Sequence, residues 1–147
     1  MAPRTVFEVF LRLVLAAALG GAIGLEREYR RKPAGLRTNM LISLGSALFA
    51  VLSIELGAAA GSPDRVAAQV VTGIGFLGAG AILRSGGNVR GLTTAATIWV
   101  NAAIGMAAGI GAYAVAAGAA AITIVVLALL PAIEGLFDRD EDGGDDV

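Results

Sequence analysis

The side chains able to do chemistry cluster where apolar runs meet. Glu26, Arg27 and Glu28 close the first run, Arg37, Thr38 and Asn39 open the second, and Arg84, Asn88, Arg90, Thr93 and Thr94 lie between the third and the fourth. Cations alone at such a boundary are explained by anionic lipid, worth about 1 kcal/mol each. Interleaved acids and amides are not, and they suit an ion-pair network joining two loops on one membrane face. Thr38, Thr93 and Thr94 also have the side chain to cap an incoming helix. Inside the runs the polar inventory is short. Glu55, Gln69 and Thr72 share a depth near the opposite boundary and form a candidate polar site, with Glu55 the one candidate metal ligand at depth. Asn101 stands mid-run, two residues from Trp99, where an amide either bonds to a neighbouring helix for about 1 kcal/mol or lines a polar pathway. Glu8 and Arg12, spaced i, i+4 with the acid first, form a helical ion pair.

Other chemistries are removed by composition. The chain has no Cys and no His, which excludes disulfides, thiolate metal sites and imidazole proton shuttles. No nucleophile and base can be paired from what remains, so no enzyme is expected, and no cofactor beyond Mg2+ as a transported or sensed ion. The run Gly73-Ile-Gly-Phe-Leu-Gly78 matches the dinucleotide-binding pattern letter for letter, yet no acid follows at the right distance, where Ile98 stands. Nucleic acid is not an expected partner.

The elements that must hold these residues follow from hydropathy. Of 147 residues 56% are hydrophobic and 16% charged, with 21 Gly and a mean hydropathy of +0.78, against about a quarter charged in soluble domains. Between Leu92 and Ile133 there is no charge at all. A crossing needs about 20 apolar residues. Five segments meet or approach that length: 6–25, 36–60, 66–83, 92–108 and 110–133. The expected fold is therefore an all-α polytopic transmembrane bundle over residues 1–137, with 138–147 a disordered acidic cytoplasmic tail. Only Gly105 to Gly111 separates the last two segments, which leaves a single interfacial hairpin as the alternative there. A cleaved secretory signal at the start would remove one span.

Bases mark the cytoplasmic side. With five spans, eight Arg and Lys fall on the side of the loop after the first span and three on the other, which puts the N-terminus outside and the C-terminus in the cytoplasm. An even number of spans would break that agreement.

Helices in lipid associate through small residues spaced i, i+4. Gly20 and Gly24, Gly75 and Ala79, and Gly105 and Gly109 have this spacing, and Gly73, Gly78 and Gly80 smooth the third segment further. Packing within one chain and a homodimer seam are both compatible with it. A parallel repeat is suggested by Gly35-Leu-Arg-Thr38 and Gly91-Leu-Thr-Thr94, each following a basic loop and a small-residue segment.

On these residues the chain resembles the membrane domain of the MgtC/SapB family. The matching stretches are Gly24-Leu-Glu-Arg27, Ala34-Gly-Leu-Arg-Thr-Asn39, Gly73-Ile-Gly-Phe-Leu-Gly-Ala-Gly80, Asn88-Val-Arg-Gly-Leu-Thr-Thr-Ala-Ala96, Trp99 and Ala103-Ile-Gly105. The resemblance implies a multi-pass protein of the bacterial inner membrane, linked to low-magnesium adaptation and, in pathogens, to survival in macrophages. It implies regulation of other membrane proteins, the ATP synthase and ion transporters among them, or transport of magnesium. Members tied to virulence carry a further cytoplasmic domain, and the chain resembles a short form without it.

Overall fold

The computed structural model describes residues 5–60, 65–85 and 88–141. Five helices follow one another: α1 (Val6–Tyr29), α2 (Leu36–Ala60), α3 (Arg65–Gly80), α4 (Leu92–Ile110) and α5 (Tyr113–Glu141). A two-stranded antiparallel ladder, β1 (Leu83–Ser85) with β2 (Asn88–Arg90), joins α3 to α4. Four helices are long and apolar enough to cross a membrane, within Val6–Tyr29, Leu36–Gly57, Leu92–Ile110 and Tyr113–Pro131.

The third segment departs from expectation. Helix α3 has 16 residues, so it rises about 24 Å, less than the roughly 30 Å of a hydrocarbon core. Its C-terminal end comes at Gly80 because Leu83, expected inside the span, pairs with Arg90 in the ladder. It still returns the chain from one end of the bundle to the other. The Ala67 N–H donates to Ser53 Oγ at 3.2 Å near the end of α2, and Gly78 lies against Ala95 near the start of α4. The last two segments are separate helices, broken at Gly111, whose φ of +92° closes α4 through N–H bonds to Ala107 and Ala108 carbonyls. Helix α5 continues to Glu141, four residues into the expected tail; residues 142–147 lie outside the described residues.

Cross-helix contacts fix the directions. Asn101 meets Asn39, Gly105 meets Ser43 and Gly109 meets Ala47, so α2 and α4 run parallel in one register. Arg12 reaches Gly109 while Arg27 reaches Thr94, so α1 runs against α4. Arg30 bonds the Ala128 carbonyl midway along α5, and α5 lies parallel to α1. The α1–α2 connection, the β ladder and the stretch of α5 around Ala128 therefore share one end of the bundle, hereafter the basic end. Helix pairs α1–α2 and α3–α4 repeat the same up-and-down path.

Small residues make this packing close. The main core joins Ala16 and Ile23 of α1, Ala47 of α2, Ile104 and Ala108 of α4, and Ala116, Ala120 and Leu127 of α5. A second, smaller core of Val70, Ile74, Ile98 and Ala102 seats α3 on α4. Large apolar side chains such as Phe7, Phe10, Phe49, Phe76 and Ile122 point outward, the reverse of a soluble protein and the arrangement a lipid solvent favours.

Candidate functional site

Helix α1 delivers its polar residues to the basic end in the turn before Tyr29. Arg27 is 4% exposed and donates from Nη2 to Thr94 Oγ1 at 2.6 Å and, more weakly, to the Pro33 carbonyl at 3.4 Å. It thus ties α1 to the first turn of α4. Glu26 pairs with Arg30 one turn on, at 2.6 Å, and Arg30 also donates to the Ala128 carbonyl at 2.7 Å. Glu28 accepts the Leu36 N–H at 2.9 Å, giving the N-terminus of α2 a carboxylate where the helix dipole favours one. The chain between turns tightly, with Arg31 at φ 55° and Ala34 at φ 56°.

The amides lie deeper. Asn39 and Asn101 are both fully buried, and Asn101 Nδ2 donates to the Asn39 carbonyl at 2.7 Å and to Asn39 Oδ1 at 3.0 Å. Asn39 Nδ2 donates in turn to the carbonyls of Ala34 and, at 3.0 Å, Gly35. One relay therefore runs from the α1–α2 turn through α2 to the middle of α4. Glycines admit it: a Cβ on Gly20 would come 2.6 Å from the Asn39 carbonyl oxygen, and one on Gly24 2.7 Å from Leu36 Cα. On the other side of α2, Gly105 and Gly109 abut the backbone of Ser43 and Ala47 so closely that neither tolerates a Cβ.

Two expectations are corrected. Among the described residues no ion pair joins the two loops: Glu8 with Arg12 lies within α1, Glu26 with Arg30 joins α1 to its own C-cap, and Arg37 is exposed with Thr38 on a separate face. Hydrogen bonds from Arg27 to Thr94 and from Asn101 to Asn39 join the elements instead, because these side chains point inward. Thr38, Thr93 and Thr94 are not caps. They lie inside their helices, and α4 is entered through Gly91 at φ +89° with no side-chain cap, since a Cβ there would strike the Ala81 carbonyl. Gly73, Gly75 and Gly80 have open space where a Cβ would stand, and Gly78 makes ordinary contact with Ala95 of α4 at 3.6 Å, so of these α3 glycines Gly78 is the one that meets another helix of the chain.

The remaining candidates are scattered. Arg90 is exposed at the basic end, and the side chains of Arg84 and Asn88 lie outside the described residues. Glu55, Gln69 and Thr72 are all exposed and no hydrogen bond joins them; Gln69 lines an apolar groove between α2 and α3 with Phe49 and Gly73. Trp99 is 54% exposed, on the opposite side of α4 from Asn101. Arg12 is the residue whose role sequence alone understated. Beyond pairing with Glu8 it is 7% exposed, donates to the Gly109 carbonyl at 3.0 Å and lies 5.9 Å from the Tyr113 ring centroid. Its signal was an arginine two turns into an apolar run.

A bundle of apolar helices, outward-facing aromatics and inward-facing amides defines a multi-pass helical membrane protein. A family model for the MgtC family matches residues 13–136, and the chain belongs to that family. It is 55% identical to the protein MgtC of Brucella abortus (strain 2308) over 78% of this chain and 48% of that protein. Against MgtC of Salmonella typhimurium (strain LT2) identity is 50%, over 82% of this chain and 50% of the relative. YhiD of Escherichia coli (strain K12), whose provisional name makes it a magnesium transporter, is 51% identical over 82% of this chain and 59% of its own length. The chain thus spans about half the length of the curated relatives it matches. No solved structure matches it.

Proposed function

We propose that this chain is the membrane module of a regulator of other membrane proteins, acting in the bacterial inner membrane during adaptation to low magnesium. The observation that supports this most directly is the seam between α2 and α4. Gly105 and Gly109 press onto the backbone of Ser43 and Ala47, and Asn39 and Asn101 are occupied with each other, so the bundle centre is a brace. Magnesium travels with much of its water shell and needs carboxylate or carbonyl oxygens to replace it; this seam offers no carboxylate among the described residues, only the buried Ser43 Oγ and Asn101 Oδ1 that lack a hydrogen-bond partner. The charge bias supports a reading with the basic end in the cytoplasm and the N-terminus outside. Partners are then other membrane proteins, with the ATP synthase and ion transporters as candidates from the resemblance, or a second copy of the chain. No catalytic step and no resident cofactor belong to this reading.

Magnesium transport is the second reading, favoured by the name of the Escherichia coli relative. Purified protein in liposomes separates the two. Regulation predicts no magnesium flux above empty vesicles, while robust uptake that disappears in Glu55→Gln would establish transport. Regulation also predicts that Glu26→Ala or Arg37→Ala inserts normally yet loses low-magnesium growth support, and unchanged growth in both would count against the basic end as the working surface.

A further inference from the structure

At the basic end, an open cleft of about 940 Å³ lies between the α1–α2 turn, the start of α4 and the turns of α5 from Val126 to Pro131. Arg27, Arg30, Lys32 and Arg90 line it on one side, and Val126 and Leu130 of α5 on the other. Of these cations Arg30 is paired with Glu26, and Glu28 is engaged by the Leu36 N–H, which leaves Arg27, Lys32 and Arg90 without an ion-pair partner among the described residues. Two independent features inside the cleft point to an anion.

The first is Arg27. It is buried to 4% exposure, yet its Nε has no hydrogen-bond partner, an arrangement whose desolvation goes uncompensated unless something accepts from it. The second is the start of α4. Gly91 and Thr93 line the same cleft, and the entry through Gly91 supplies no side chain to accept from the first-turn N–H groups. Helix α2, by contrast, has Glu28 in that place. Arg27 also sets a positive charge at the positive end of the α4 dipole, which an anion would offset.

We propose that this cleft binds a phosphate group, held by Arg27, Lys32 and Arg90 at the N-terminus of α4. The chemistry is that of a phosphodiester or phosphate oxyanion, for which guanidinium forks are well shaped. The apolar wall of Val126 and Leu130, half-exposed beside the cations, is arranged as for a lipid whose headgroup enters the cleft while its chains lie along α5. Free phosphate offers the same oxygens. The inference stands whether the chain regulates or transports.

The test uses the full chain in phosphatidylcholine nanodiscs with or without phosphatidylglycerol, read by native mass spectrometry and by titration with inorganic phosphate. Wild-type protein is expected to retain phosphatidylglycerol in preference to phosphatidylcholine. The double variant Lys32→Gln/Arg90→Gln, altered at exposed positions that leave the helix contacts intact, is expected to lose about tenfold of that preference. Arg37→Gln, on another face, should keep it. Arg27→Lys, which preserves charge but removes Nε, should weaken retention while circular dichroism stays helical. If phosphate displaces the lipid and binds in pure phosphatidylcholine discs, the source is free phosphate; if it does neither while the lipid is retained, the source is the headgroup. Two results would overturn the proposal: no preference and no phosphate binding in the wild type, or an equal loss in Arg37→Gln.

Discussion

Helices α3 and α4 both carry small residues at i, i+4 spacing, Gly75 with Ala79 and Gly105 with Gly109, and the bundle treats them in opposite ways. In α4, Gly105 and Gly109 let the backbone of α2 approach until no Cβ fits, and Asn101 bonds across the same seam. In α3, Gly73, Gly75 and Gly80 face open space, and an apolar groove of about 540 Å³ separates the helix from α2. Equal spacing therefore does not imply equal contact. What differs is the partner: α2 meets α4 through the backbone of Ser43 and Ala47, whereas toward α3 its small Gly45 and Ser46 are flanked by the bulkier Leu41, Ile42 and Phe49.

Substitutions at matched positions test that contrast. Gly105→Val forces side-chain atoms into the Ser43 backbone and is expected to cost about 3 kcal/mol or more, seen as loss of a monodisperse peak in detergent and a collapsed melting temperature. Asn101→Leu leaves the buried Asn39 Oδ1 without its donor and is expected to cost about 1–3 kcal/mol, with the helix content intact. Arg12→Gln removes the cation from the carbonyl end of α4 and should lower the melting temperature by an amount equivalent to about 1–2 kcal/mol. Gly75→Ala, with nothing to strike and a better helix former, is expected to be neutral or stabilising by up to about 1 kcal/mol. A melting temperature for Gly75→Ala that falls as far as that of Gly105→Val would erase the distinction and imply that the α3 face is covered in the folded protein.

Much of the fold was legible because lipid makes hydropathy a strong signal: the starts of α1, α2 and α4 follow directly from Leu36 and Leu92 after their Gly, and from the apolar run at Val6. The short α3 was less so. Nothing in the apolar run through Leu83 announces that its last residue pairs as a strand with Arg90. At the basic end the residues were identifiable but not their directions. Glu26 and Arg27 are neighbours in sequence, yet helical geometry turns one toward Arg30 on its own helix and the other toward Thr94 on α4. Arg12 was read as half of a local pair because its second acceptor, the Gly109 carbonyl, is backbone and carries no sequence signature.

Arg12 and Arg27 are fifteen residues apart on α1, about 22 Å, and they engage opposite ends of α4: the Gly109 carbonyl at one, Thr94 at the other. Helix α1 is thus a caliper closed on its neighbour. A slide of α4 by one helical turn, about 5.4 Å, would open both jaws together. Piston motion along the bundle axis is the one movement this pair of arginines opposes at two points at once, while rotation of the lightly held α3 about its own axis touches neither.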